Sequence, residues 1–220
     1  MTSRNVTNST ATLSMGGAMS DITPPLEVGL LTSSVERKWM PFEGVRKPLY
    51  ARVIVLEGES PRGTSQRIAI VALDLLALSG NALGDFREFK TRIAAAGNHA
   101  VQPDDIVLAC THTHSAPESG AITDLFKTAA FEDWAANVVG QIGEAIAAAV
   151  DDLTACRVSY ATATAHGLGV HRRIKTKQGI MMSHPEPDDD VILSREGAID
   201  DSVNVLSFRD ADGAVKGSLV

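Results

Sequence analysis

Cysteine is scarce: Cys110 and Cys156 are the two in 220 residues. At most one disulfide can form, and a chain of this length buries a core without such a staple. Both read as small buried thiols. Aromatic residues make up only 5%, little material for a lipid-binding apolar groove. A cationic excess is also missing, since 20 Lys and Arg against 27 Asp and Glu leave a net charge of −7. That balance excludes an extended nucleic-acid surface but leaves room for a local cationic site. No run reaches the ~18 apolar residues of a membrane span, and there is no amphipathic basic helix. The first residues, rich in Ser, Thr and Asn, lack the apolar stretch of a signal peptide. Cytoplasm is therefore the default compartment, with secretion left open. The oligomeric state is not legible.

What is present is ordinary globular composition, with 44% hydrophobic and 21% charged residues. Residues 1–15 read as a disordered tail and 16–220 as one α/β unit. Gly16 to Pro25 suggests a short strand running into a turn, and Val28 to Pro48 a loop. Tyr50 to Leu56 and Arg67 to Leu76 read as strands. The second of these is almost continuously apolar, the pattern of a strand covered on both faces. Leu83 to Ala96 has helical spacing and ends at Gly97; Asp105 to Cys110 is a short strand; Phe131 to Val150 is the clearest helix. Arg157 to Ala163 follows as a strand. Val203–Arg209 and Ala214–Val220 flank a hairpin turn at Asp210–Gly213. This order implies an α/β fold with a largely parallel or mixed sheet layered with helices. The stretch His171 to Asp201 reads as an insertion or flap. The sequence stops inside a strand-like segment, so the domain is expected to continue beyond Val220.

Chemistry concentrates after the Ile106–Cys110 strand, in Thr111-His112-Thr113-His114-Ser115-Ala116-Pro117. Ligands collect beyond the carboxyl ends of strands in open α/β sheets. If the extended backbone persists, His112 and His114 share a face about 7 Å apart along the chain, suited to a metal or to hydrogen bonding within the loop. Asp74, at the matching place on the neighbouring strand, either orients a histidine or caps the loop before the next helix. Gly167 to Arg173 joins glycines to His171, Arg172 and Arg173; an arginine there is either a carbonyl or carboxylate contact or an ordinary surface residue. The acidic run from His184 to Asp190 matches no EF-hand spacing and reads as solvated flap.

From about Gly16 to Val220 the chain resembles the N-terminal catalytic domain of neutral, non-lysosomal ceramidases. The likeness lies in Gly17–Pro25 (GAMSDITPP), in Leu49–Arg52 with Ala72–Leu75, and in Thr111–Pro117, similar to the family's THTHSGP signature. It continues in His171–Arg173 with Asp201–Gly213. The resemblance implies a zinc-dependent hydrolase cleaving the amide of an N-acyl substrate. It implies Zn2+ held by His112, with His114 and Arg172 as catalytic residues and His171 and Asp74 on the substrate. The family's remaining zinc ligands are expected after Val220. Ala116, Glu118 and Ser119 stand where the family has glycines, and His171 where it has asparagine. The loop is accordingly expected to be stiffer and more acidic. The expected partner is a small-molecule or lipid amide; a non-lipid amide or ester, or a non-catalytic module keeping the fold, are the alternatives.

Overall fold

The computed structural model describes residues 13–28, 44–59, 63–122, 124, 126–169, 171–183, 186–195 and 197–220. The expected loop over Val28–Pro48 falls mostly on 29–43, outside them, as do residues 1–12. The first strand, β1 (Leu13–Asp21), begins inside the expected tail: Leu13 to Met15 are strand, and Met15 is fully buried. It pairs antiparallel with β2 (Tyr50–Glu59), which forms an antiparallel hairpin with β3 (Ser65–Leu73). β3 then pairs parallel with β4 (Ile106–Cys110). The connection between these two carries the helices α1 (Gly80–Leu83) and α2 (Phe86–Ala96), since parallel neighbours need a crossover where antiparallel ones need only a turn. After α3 (Ala129–Asp151) come β5 (Thr154–Thr164), β6 (Arg173–Thr176), β7 (Gly179–Met182), β8 (Ile192–Arg195), β9 (Ser202–Arg209) and β10 (Val215–Leu219). Seven strands hydrogen-bond in the order β10-β9-β5-β1-β2-β3-β4. The sheet is mixed rather than largely parallel, since β1 pairs antiparallel with both β2 and β5 and β2 with β3, while β3 pairs parallel with β4.

Contacts divide the chain into two compact bodies, 158–207 with 218–220 as one and the rest of the described residues as the other. In the larger body α2 and α3 cover one face of β1–β4. Alternation decides which face: Ala51, Val53 and Val55 of β2 and Ala69, Val71 and Leu73 of β3 share a buried cluster with Phe89, Ile93, Val138 and Ile142. Burial of each such side chain contributes roughly 1.5–3 kcal/mol. Trp134 completes the seal, its indole N–H donating to Ile22 O at 2.9 Å. Asp85 caps α2 by accepting from the amides of Arg87 and Glu88, and Thr128 caps α3 by accepting from Phe131 N. The opposite face of β3 is not covered by described residues: Ile68 is 40% and Val107 of β4 is 49% exposed. The expectation of a strand buried on both sides is thus corrected, as helices pack on one side alone.

The helices touch where Gly143 of α3 meets the end of α2. A Cβ on Gly143 would lie 2.6 Å from Ala96 Cβ and 2.7 Å from Gly97 N. In the same body Asp152 accepts from Gly17 N at 3.0 Å. Lys216 donates to Met15 O, Asp152 O and Thr154 Oγ1, and stands 3.3 Å from the Asp152 carboxylate. The Gly17 amide first, and then Lys216, hold the Asp152 carboxyl below its ordinary value of 3.8 against an opposing effect of burial. The β9–β10 turn closes as expected, with Ala214 N donating to Asp210 Oδ1 and Gly213 in the left-handed region at φ +87°.

In the smaller body the expected insertion or flap carries structure of its own. Residues within His171–Asp201 build a second sheet in the order β7-β6-β8, closed over Ile174 and Thr176. Alternation over so short a strand as β6 is too brief to be seen in the sequence. Elsewhere in this body Tyr160 donates to Asn204 Oδ1 at 2.6 Å.

Two outcomes are expected. Gly143→Ala costs about 1–3 kcal/mol from overpacking, read as a drop in the denaturation midpoint. Asp152→Asn lowers Tm at neutral pH. A depressed folded-state carboxyl stabilises above its ordinary value and loses that stabilisation as pH falls through the lowered one. The Tm gap between parent and Asp152→Asn therefore starts to close near 3.8 and vanishes at still lower pH.

Candidate functional site

The parallel register sets Leu73 beside Cys110, so β3 and β4 end together. Pairing continues past the strands: Thr111 N donates to Leu73 O at 2.9 Å and His112 N to Leu75 O at 3.0 Å. The extended path breaks at His112, whose φ is +62°, a left-handed conformation that costs a residue with a Cβ roughly 1–2 kcal/mol. Non-glycine residues held this way concentrate at functional sites. The expected shared strand face for His112 and His114 is therefore replaced by a turned loop. It still brings the two rings together, with centroids 5.2 Å apart and planes at 88°.

The imidazole of His112 is oriented by the main chain. Its Nδ1 lies 2.9 Å from Leu76 O. A carbonyl oxygen can only accept, so Nδ1 carries the hydrogen and, in the neutral ring, Nε2 is left with a lone pair. Asp74 was a candidate for this orienting bond. Its carboxylate instead accepts from Tyr50 N at 3.0 Å and from Arg52 Nη1 at 2.8 Å, tying the start of β2 to the end of β3. The Arg52 guanidinium also stacks over the Tyr50 ring, 5.1 Å from its centroid. The backbone acceptor Leu76 O was missed in the sequence because a carbonyl leaves no signature in residue type.

Asp74 and the histidine loop border one cavity of about 620 Å³, whose lining includes Thr113 and Ser115 beside the histidines, Asp74, Arg52, Arg46 and Lys47. The basic Arg46-Lys47-Pro48 run was its available sequence signal. Directly after the histidines the chain dives inward. Ala116, Glu118 and Ser119 are fully buried, and Ser119 O accepts from Ser79 N at 3.1 Å. The acid expected to make this loop acidic is thus withdrawn from solvent. Burial raises the Cys110 thiol above its ordinary 9.0, which keeps it protonated and unreactive at neutral pH; the same holds for Cys156.

His112, His114 and Asp74 thus come together in the larger body. His171 and Arg172 belong to the smaller one. There His171 Nδ1 accepts from Arg173 N at 3.3 Å, and its ring packs where a Cβ on Gly197 would come within 2.7 Å of Nε2. Arg172 is exposed, its carbonyl accepting from Ser183 N at 2.9 Å. His166, in the same body, pairs with Asp201 at 2.8 Å; His184 lies outside the described residues. Among the described residues no three His, Cys, Asp or Glu side chains gather closely enough to hold a metal ion.

Neutral ceramidase from Pseudomonas aeruginosa has a similar fold, with a TM-score of 0.63 at 22% identity over 96% of this chain and 31% of that one. A ceramidase complexed with C2 is similar at a TM-score of 0.62 and 22% identity, over 94% of this chain and 30% of that one. The chain therefore spans about a third of the length of these ceramidases, and the likeness at this identity is one of fold. No protein-family model matches the sequence, and no curated protein matches it.

The left-handed turn makes its own prediction. His112→Asn keeps the denaturation midpoint close to that of the parent, since asparagine tolerates this region. His112→Val lowers stability by about 1–2 kcal/mol, because a β-branched residue does not tolerate it. Parallel chemical denaturation of the two variants measures the difference.

Proposed function

We propose that this chain carries part of a zinc-dependent amide hydrolase site of the ceramidase type, with His112 as a metal ligand. The observation that carries the proposal is the bond between His112 Nδ1 and Leu76 O at the joint end of two parallel strands. It prepares Nε2 as a donor, the chemistry a zinc-ligating imidazole needs. The fold shared with ceramidases supports the same proposal. A zinc site takes about four ligands; His112 supplies one, and the others come from outside the described residues. Zinc, when bound, lowers the pKa of a coordinated water toward ~7 and polarises a carbonyl.

The chain's own residues then divide the remaining work. In this proposal His114, whose ring is edge-on to that of His112, passes a proton to the departing amine. Asp74 fixes Arg52 on the wall of the adjoining cavity, which Thr113 and Ser115 also line. The substrate in this proposal is an N-acyl amide.

Elemental analysis and turnover of the full-length protein test it together. His112→Ala is expected to abolish stoichiometric zinc, whereas His99→Ala retains it. His114→Gln keeps the zinc but slows amide hydrolysis by about 10²–10⁴-fold. Zinc retained in full by His112→Ala would sink the ligand assignment.

A further inference from the structure

We infer that the cavity beside the two histidines receives an anionic group of the substrate, a carboxylate or phosphate, so that the site acts on acidic amides. The word substrate rests on the hydrolase proposal; the anion site itself does not. Among the described residues three cations, Arg46, Lys47 and Arg52, line the cavity against a single acid, Asp74. A formal excess of two positive charges therefore collects in one concave place on a chain whose net charge is −7. Composition of this kind does not produce such a cluster by default, and a concave wall of one sign concentrates counter-ions of the other.

The one acid is already committed. Asp74 accepts from Tyr50 N and Arg52 Nη1, so it leaves Arg46 and Lys47 uncompensated. Neither makes an ion pair among the described residues. Arg52 gives one of its five N–H groups to Asp74 and is held in place by that bond and by the Tyr50 ring. Its remaining donors, with the two neighbouring cations, suit the oxygen fork of a carboxylate or the oxygens of a phosphate. Thr113 and Ser115, which alternate with the histidines along the chain, reach the same cavity. An acid held by the cations would thus lie next to the His112–His114 loop, with its amide carried toward it. At about 620 Å³ the space holds a polar head group of ordinary ligand size. A neutral amide would leave Arg46 and Lys47 without an anionic partner among the described residues.

The test compares N-lauroylglycine, its neutral counterpart N-lauroylethanolamine, and short soluble N-acetylglycine, on the full-length zinc-loaded protein and on Arg46→Gln/Lys47→Gln. Both substitutions are at exposed positions, and unchanged Tm verifies folding. The expected result is kcat/KM at least about tenfold higher for the acidic amide than for the neutral one, as charge-assisted bonds supply. That ratio collapses in the double variant and shrinks with added salt. Preference for N-acetylglycine identifies free small acids as the source, and preference for N-lauroylglycine alone identifies acidic lipids; either supports the inference. An acid-to-neutral ratio near one, or one untouched by the double variant, overturns it while leaving the hydrolase proposal standing. If no amide is cleaved, the hydrolase proposal fails. Titration with N-acetylglycine and inorganic phosphate then decides: binding weakened about tenfold by the double variant supports the anion site, and no binding by the parent ends it.

Discussion

A single hydrogen bond, from the imidazole of His112 to the carbonyl of Leu76, fixes the ring on which the proposed site depends. Leu76 can offer that carbonyl because the segment after β3 runs alongside the segment after β4, held by Thr111 N to Leu73 O and His112 N to Leu75 O. The parallel register of the two strands is therefore the scaffold of the site. The left-handed backbone at His112 is tolerated because these bonds over-determine it. Remove the parallel pairing, and both the ring orientation and its neighbour His114 lose their reference.

How much of this was legible in the sequence depends on the range of the interaction. The long amphipathic helix α3 and the hairpin at Asp210–Gly213 announce themselves through local spacing and turn chemistry, and both lie close to their expected limits. The β3 pattern misled because an apolar run says how much a strand can bury, not how much its neighbours cover. Ile68 and Val107 stay exposed for that reason. The second sheet within His171–Asp201 was hidden by strands of four residues, too short for alternation to rise above noise. At the site, the residue types were visible but their wiring was not. Asp74 turned toward Arg52 and Tyr50, and a backbone oxygen took the role considered for it.

The likeness to ceramidases and the departures from their signature bear on different things. In this chain two histidines follow the joint end of β3 and β4. The adjoining cavity wall carries Arg46 and Lys47 beside Arg52. Under the proposed function, fold and specificity are carried by separate residues. Substitutions in the 44–49 segment can retune what is bound without disturbing β3 and β4.

The contact around Lys216 has a consequence for biosynthesis. Its ammonium seeks the carbonyl of Met15, 201 positions earlier. At roughly 5–20 residues per second of translation, Met15 leaves the ribosome about 10–40 s before its partner exists. During that interval the nascent β1–β2–β3 meander can zip locally. Once Asp152 is made, its carboxylate has the Gly17 amide to hold it until Lys216 arrives.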